Sequence, residues 1–172
     1  MKYHIFFHSD LDGFASAGVA YSALRERGVY PEYIHRYKIN YGQKFDDSKI
    51  DYDKDHIIML DFCLQPYRKM KNLIKKSNFF TWIDHHKTSL DFVKENKNIF
   101  SKDRTVVGIS LDHLIDTSKA ACELTWWYFF NEEPPKLVKL IGQYDTWKKE
   151  GPYAWESEVI PLQLYLDSNR DL

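Results

Sequence analysis

The sequence predicts an α/β fold, a parallel sheet of roughly five strands with helices packed on both faces. Three short, largely apolar runs, at 3–7, 57–60 and 79–83, have the length and composition of buried strands. Helical patterns separate these runs, and strands that alternate with helices are typical of a parallel sheet covered on both sides. A chain of 172 residues suits one domain of this kind, so we expect residues 1–172 to form a single domain.

Glycine, proline and spacing signals predict the remaining elements. Gly13 precedes apolar residues spaced three and four apart, which predicts a helix that ends at Gly28. The polar stretch over 40–55 is typical of a loop. The other predicted elements are a strand at 33–37, a helix at 66–76 begun by a proline, one or two short strands within 98–107, and helices at 118–130 and 135–144.

Charge and cysteine content limit the classes of function. The formal net charge is -1, which argues against a general nucleic-acid coating protein, since such proteins are normally basic. It leaves room for a small phosphorylated substrate, because bound cations can supply positive charge locally. Cys63 and Cys122 fit no zinc or redox spacing, which favours a reducing compartment. The sequence shows neither a signal peptide nor a membrane helix, so we expect a cytoplasmic location and no contact with a membrane.

Each apolar run is followed by acidic or imidazole side chains. These are HSDLDG at 8–13, Asp61, and DHH at 84–86. Ligands bind beyond the carboxyl ends of the strands in an open parallel sheet, so three separate stretches bring Asp and His to one edge. If 8–12 is extended, His8, Asp10 and Asp12 face one side together, an arrangement that favours bound cations. The alternatives are Asp12 as an ordinary helix N-cap, Asp61 as a solvated loop residue, and 84–86 as a polar turn.

Weaker signals lie elsewhere in the chain. Asp145 ends the last predicted helix, where the helix dipole disfavours a carboxylate, which suggests a compensating cation; an exposed helix-end Asp is the alternative. His113 has the pattern of a helix-surface or core histidine rather than a ligand. Trp147 and Trp155 could stack on a nucleobase or pack in the core. Lys87 could face an anion or solvent.

The motif series HSDLDG, MLD, IDHH and GQYD, in this order, resembles that of the DHH phosphoesterase superfamily. That superfamily includes RecJ-type exonucleases, oligoribonucleases, cyclic-dinucleotide phosphodiesterases and family II inorganic pyrophosphatases. The resemblance implies a Rossmann-like three-layer domain with two divalent metal ions, and mixed carboxylate and imidazole ligands suit manganese. In the implied arrangement one metal takes His8, Asp10 and Asp61, the second takes Asp12, Asp61, His85 and Asp145, Asp84 supports the histidines, and His86 contacts the substrate phosphate.

The resemblance also implies an activity, that of a manganese-dependent hydrolase. We expect it to cleave phosphodiester bonds in short oligonucleotides or dinucleotides and to release nucleoside 5′-monophosphates, with Lys87 and Trp147 as candidate substrate contacts. The alternatives are a phosphatase or pyrophosphatase for a small metabolite, or a non-catalytic metal-bound module that binds nucleotides or a partner. Relatives usually carry a second, DHH-associated domain with a glycine-rich motif that this sequence lacks. The sequence is then a fragment, a naturally minimal member, or a chain whose substrate half comes from another chain. We expect either a high KM for this chain alone or a homodimer or partner chain that completes the substrate cleft.

Overall fold

A five-stranded parallel sheet forms the centre of the computed structural model, which describes residues 1–96, 99, 104–107 and 118–169. In chain order the strands are β1 (Tyr3–His8), β2 (Ile34–Ile39), β3 (His56–Leu60), β4 (Phe79–Ile83) and β5 (Arg104–Val107). Their order across the sheet is β2-β1-β3-β4-β5, and every neighbouring pair is parallel. The predicted α/β class is therefore confirmed.

Six α-helices accompany the sheet in the described part of the chain. They are α1 (Leu11–Glu26), α2 (Tyr67–Lys76), α3 (Lys87–Glu95), α4 (Ala121–Phe130), α5 (Lys136–Asp145) and α6 (Ile160–Ser168). A 3-10 turn at Pro31–Tyr33 precedes β2, and a π-helical turn at Trp155–Val159 precedes α6. The sequence patterns do not predict α3, because nine residues are too few to establish a helical period.

The helices cover both faces of the sheet, because alternate residues of each strand point to opposite sides. On one face Ile57 and Met59 of β3 pack with the buried stripe Met70, Leu73 and Ile74 of α2. The other face lies against α1 and α4, and its buried residues include Ile5, Phe7, Ile58, Leu60, Ala17, Ala20 and Leu24. Full burial of a large apolar side chain stabilises a fold by about 1.5–3 kcal/mol. The resulting three layers match the predicted architecture.

The connection from β1 to α1 needs a glycine at position 13. A Cβ atom placed on Gly13 would lie 2.2 Å from the carbonyl oxygen of His8, far closer than real Cβ contacts. Glycine therefore lets the first turn of α1 fold back against the end of β1. The neighbours of β1 are β2 on one side and β3 on the other, so the chain changes direction across the sheet here. Such switch points are where open α/β sheets bind ligands.

Three remaining features concern the helices, the cysteines and His113. None of the helices in the described part of the chain has the length and apolar character to cross a bilayer. Both cysteines are buried and free. His113 lies outside the described residues, as do residues 98 and 100–103 of the predicted strand region 98–107.

Candidate metal centre

The first cluster of donor groups lies at the ends of β1 and β3. His8 is the last residue of β1, Asp10 caps α1, and Asp61 follows β3. His8 Nδ1 contacts Asp10 Oδ2 directly and lies 3.7 Å from Asp61 Oδ2. The second oxygen of Asp10 accepts the Gly13 N–H at 2.9 Å, which fixes the carboxylate. The three side chains offer ligand atoms within 4.8 Å of one another, close enough to surround one cation.

The second cluster joins three elements that are distant in sequence. Asp12 lies in the first turn of α1, His85 follows β4, and Asp145 is the last residue of α5. His85 Nε2 lies 3.1 Å from Asp145 Oδ2 and 3.7 Å from Asp12 Oδ2. One ligand atom from each lies within 4.8 Å of the other two. The carboxylate that ends α5, against the helix dipole, therefore has an imidazole beside it.

Asp61 lies between the two clusters. Its oxygens lie 3.7 Å from His8 Nδ1, 3.5 Å from His85 Nε2 and 3.7 Å from His86 Nδ1. The side chain is 1% exposed, and within the described residues neither oxygen has a hydrogen-bond partner. A buried carboxylate without such partners is costly unless a cation or a proton neutralises it. This arrangement is what a carboxylate shared between two cations requires.

The backbone around Asp61 is held in an uncommon conformation. Asp61 has a φ of 53°, in the left-handed region that few non-glycine residues adopt. Its N–H donates to the Ile83 carbonyl at 2.8 Å, and the next carbonyl, of Phe62, accepts the Trp82 indole N–H at 3.0 Å. These bonds to β4 stabilise the turn, and conformations of this kind are concentrated at functional sites.

Asp84 and His86 form a separate pair beside the clusters. Asp84 is fully buried and accepts hydrogen bonds from His86 Nδ1 at 2.7 Å, from the His86 backbone N–H at 3.1 Å and from Ser89 Oγ at 2.7 Å. Although burial raises the pKa of Asp84, the bonds from His86 and Ser89 bring it below its ordinary value. The His86 side chain is 39% exposed, and its Nε2 is the ring nitrogen left for an external ligand.

Asp12 anchors the start of α4. Its carboxylate is buried and accepts the backbone N–H groups of Ala121 and Cys122, both at 2.8 Å. These are among the first N–H groups of α4, which have no partner within the helix and favour an anion. The suggestion that Asp12 is the N-cap of α1 is wrong, because Asp10 occupies that position and α1 begins at Leu11.

The start of α1 also changes which groups face each other. An extended segment would place His8, Asp10 and Asp12 on one side. In the structure His8 and Asp10 belong to the first cluster, while Asp12 points to the second. The difference arises because Asp10 ends the extended backbone and the helical turn that follows rotates Asp12 away.

Proton affinities in the first cluster reflect its charge. The hydrogen bond to Asp10 and the carboxylate of Asp61 raise the pKa of His8 to about 10. Burial by itself raises the pKa of Asp10, but the bonds from His8 and from the Gly13 N–H lower it to about 2. In the absence of metal His8 is therefore protonated at neutral pH, and its proton neutralises part of the acidic cluster.

The second cluster is also crowded with negative charge. Burial and the charge of Asp61 together raise the pKa of Asp145 to about 6, against the opposing effect of His85. Burial, Asp61 and Asp145 raise the pKa of Asp12 well above its ordinary range. Burial lowers the pKa of His85, yet its contact with Asp61 and the charges of Asp12 and Asp145 raise it to about 9. The carboxylates of Asp12, Asp61 and Asp145 can all be ionised together only if positive charge lies between them.

The donor set fits a pair of divalent cations. The ligand atoms within each cluster are spaced like those around a common ion, since two ligands at about 2.1 Å and a right angle lie about 3 Å apart. The oxygens of Asp61, which have no hydrogen-bond partner among the described residues, lie where both ions could use them. Asp61, His85 and His86 also form a third group within 4.8 Å, although His86 Nδ1 is already bonded to Asp84.

The two candidate substrate contacts lie outside these clusters. Lys87 is exposed at the first position of α3. Trp147 is 61% exposed, two residues after Asp145, and has a φ of 55°. Its ring packs edge-on against Trp155, which in turn stacks on Tyr144 at 5.6 Å. An open pocket of about 280 Å³ is lined by these three aromatic rings together with residues of α6.

Several residues of the site do not emerge from the sequence reasoning. Ser89 supports Asp84, and Asn40 Oδ1 lies 3.2 Å from His8 Nε2. Asn40 directly follows β2, so the rule that placed Asp61 at the edge of the sheet applies equally to Asn40. The amides of Ala121 and Cys122 carry no side-chain signal, and only the fold brings them to Asp12.

The fold and this donor set define an α/β protein with an acidic, histidine-containing candidate metal centre at the carboxyl edge of a parallel sheet. Residues 2–142 match the model of the DHH family, N-terminal domain, and the chain therefore belongs to the DHH family. Members of this family are phosphoesterases that use divalent metals. The match includes every candidate metal ligand of the two clusters except Asp145, which lies just beyond residue 142.

Two relatives extend the comparison. The chain is 30% identical over 155 residues to uncharacterized protein R106 of Acanthamoeba polyphaga mimivirus, an alignment that covers 84% of this chain and 33% of that protein. The crystal structure of an uncharacterized protein from Helicobacter pylori G27 superimposes with a TM-score of 0.60 at 17% identity, over 98% of this chain and 50% of that chain. The second likeness shows the fold. The chain spans about a third of the first protein and half of the second.

Proposed function

We propose that this chain holds two divalent cations, manganese in preference to other ions, and hydrolyses phosphodiester bonds in short oligonucleotides or dinucleotides. The observation that carries the proposal is the position of Asp61. It is a buried carboxylate with no hydrogen-bond partner in the described residues, and it lies between two clusters that each gather three ligand atoms within 4.8 Å. Membership of the DHH family supports the phosphoesterase chemistry.

The residues divide the ligand positions between the two ions. His8, Asp10 and Asp61 would hold one, and Asp12, His85 and Asp145 would hold the other, with Asp61 shared. Imidazole and carboxylate ligands together favour manganese over calcium, which prefers oxygen alone. Two such cations would supply Lewis-acid activation of a phosphoryl group and of water.

The chain itself supplies a donor for the substrate phosphate. Asp84 accepts a hydrogen bond from His86 Nδ1, which fixes the orientation of the ring. This bond raises the pKa of His86, although burial opposes the rise. When the ring is protonated, its half-exposed Nε2 can donate a hydrogen bond, which suits the negative charge of a phosphate.

The surface charge supports a short substrate. Long nucleic acid is bound through many phosphate contacts, and a net charge of -1 gives no basic surface for them. A dinucleotide needs a phosphate site and one or two contacts more. Trp147, exposed and close in sequence to Asp145, offers a face for a nucleobase, and Lys87 offers a positive charge. The proposed product is a nucleoside 5′-monophosphate.

The test compares hydrolysis of a dinucleotide, a long single strand and pyrophosphate by the manganese-loaded protein. We expect the dinucleotide to be cleaved fastest. Trp147→Ala should raise the KM for the dinucleotide about 5- to 150-fold, the loss of one stacking contact of about 1–3 kcal/mol. The matched control is Trp127→Ala, because Trp127 is also exposed but lies on α4 and does not line the pocket of Tyr144, Trp147 and Trp155.

Other outcomes would redirect the proposal. Rapid hydrolysis of pyrophosphate without cleavage of the dinucleotide would identify a phosphatase instead. Tight metal binding without any hydrolysis would identify a non-catalytic module. We also expect a high KM for the monomer, or a lower KM once a second copy or a partner chain covers the centre. A monomer in light scattering with a micromolar KM would contradict that expectation.

A further inference from the structure

Asn40 occupies a position that links β2 to the metal centre. In the register of the sheet, Ile39 at the end of β2 lies opposite His8 at the end of β1. Asn40 is the next residue, and its side-chain oxygen lies 3.2 Å from His8 Nε2. Its side-chain nitrogen donates to Ser9 Oγ at 2.9 Å. Asn40 therefore contacts two consecutive residues of the motif that follows β1.

The orientation of the Asn40 amide is fixed by a backbone donor. The Tyr41 N–H donates to Asn40 Oδ1 at 2.9 Å, so this atom must be the oxygen, because an amide NH₂ cannot accept that bond. The Asn40 backbone N–H donates to Gln43 Oε1 at 2.9 Å and holds the turn in place. Since Oδ1 only accepts, the bond to His8 requires a hydrogen on His8 Nε2.

That requirement determines which nitrogen of His8 can bind a metal ion. With the Nε2 hydrogen engaged by Asn40, Nδ1 is the nitrogen that must release its proton and offer a lone pair when a metal ion binds, and Nδ1 is the atom beside Asp10 and Asp61. The His8 ring is further confined by Phe62, whose ring stacks with it at 6.0 Å. A flip of the His8 ring would break the bond to Asn40 and turn Nδ1 away from the carboxylates.

We infer that Asn40 is a positioning residue, which presents His8 Nδ1 to the ion held with Asp10 and Asp61. The inference rests on the proposed two-cation function and adds a residue that touches neither metal nor substrate. Partners of this kind contribute about 10- to 100-fold to metal affinity. Asn40 is exposed, so water can replace part of its effect, and we expect the lower end of that range.

The test is a Mn²⁺ titration followed by electron paramagnetic resonance, which counts the free ion. Asn40→Ala should weaken one of the two sites about 10-fold and leave the other unchanged, because the second cluster, of Asp12, His85 and Asp145, does not include His8. Asn40→Asp retains an acceptor for the His8 N–H and should keep wild-type affinity. Gln43→Ala is the matched control, since it loosens the same turn without removing that acceptor.

The outcomes separate this inference from the proposed function. If the wild type binds two ions and Asn40→Ala binds both equally well, the inference is overturned and the two-cation function stands. If Gln43→Ala or Asn40→Asp weakens binding as much as Asn40→Ala does, the effect belongs to the turn and the inference is again overturned. If the wild type binds no Mn²⁺, both fail. Nitrogen NMR of the Mg²⁺-loaded protein should in addition show His8 protonated at Nε2, and protonation at Nδ1 would refute the inference.

Discussion

The variant Asp61→Asn gives the most direct test of the shared carboxylate. Asparagine has nearly the same size and shape, so the core beneath β3 and β4 stays packed, but the charge that both clusters need is removed. Asp61 is 1% exposed and lies within 3.7 Å of nitrogen atoms from both clusters. We therefore expect the variant to lose both ions, whereas loss of a residue from one cluster should remove one ion.

The expected change in Tm on addition of manganese depends on how many of the two clusters a residue belongs to. A ligand present at 100 times its Kd stabilises the native state by about 2.7 kcal/mol, so two ions contribute about 5.4 kcal/mol. In a chain of this size 1 kcal/mol shifts Tm by about 2–4 °C, which gives an increase of about 11–22 °C on addition of manganese to the wild type. Asp61→Asn should show no increase.

Differential scanning calorimetry with and without manganese measures these increments. Asp10→Asn and Asp145→Asn are the matched controls, because each changes one cluster, and each should keep about half of the wild-type increase. An asparagine at position 10 can still cap α1, since asparagine is as good an N-cap as aspartate. An Asp61→Asn protein that keeps one ion, or that keeps half of the increase in Tm, would show that Asp61 is not shared.

Three further variants examine other parts of the site and fold. His86→Ala should keep both ions by elemental analysis while kcat falls on the order of 10²-fold, because one phosphate donor is lost. Asp12→Ala leaves two buried N–H groups, of Ala121 and Cys122, without an acceptor, and urea unfolding of the metal-free protein should show a loss of about 2–6 kcal/mol. Burial lowers the pKa of His56 from 6.5 to about 4, so the unfolded state binds the extra proton and stability falls as the pH drops from 6.5 to 4. Urea unfolding should show that the free energy of unfolding falls by up to about 3 kcal/mol over this pH range, and that this fall is absent in His56→Gln.

Each of these variants has a result that contradicts its reasoning. Loss of a metal ion in the His86→Ala protein would make His86 a ligand. An Asp12→Ala protein as stable as the wild type would mean that water satisfies the α4 amides. If the free energy of unfolding of the wild type changes with pH in parallel with that of His56→Gln, groups other than His56 cause the loss of stability at low pH.

The sequence predicts the convergence of the donors because that convergence depends on local patterns. The buried strands before Asp61 and Asp84 are recognisable from four or five apolar residues, and parallel strands bring their carboxyl ends to one edge. The position of Asp145 at the end of a helix is likewise readable from helix length and a following polar turn. These features need no knowledge of distant contacts.

Other features of the site depend on contacts that no local pattern specifies. The first turn of α1 begins at Leu11 because Asp10 bonds to the Gly13 N–H, and this capping choice decides which way Asp12 faces. The partners of Asp12 are backbone amides, which nearly every residue possesses. Helix α3 is short, and its apolar residues form a recognisable buried face only once the helix is packed in the fold.

The bonds from Asp12 to Ala121 and Cys122 also have a consequence for the order in which the protein matures. They join positions 109 and 110 residues apart. Contacts of such separation close a large loop before any energy is gained, so we expect them to form late in folding. During synthesis at about 5–20 residues per second, Ala121 and Cys122 are made roughly 5–20 s after Asp12. His85 is likewise made well before Asp145. Uptake of the second ion should therefore coincide with the final folding phase, and refolding followed by Mn²⁺ binding would report when these distant segments have come together.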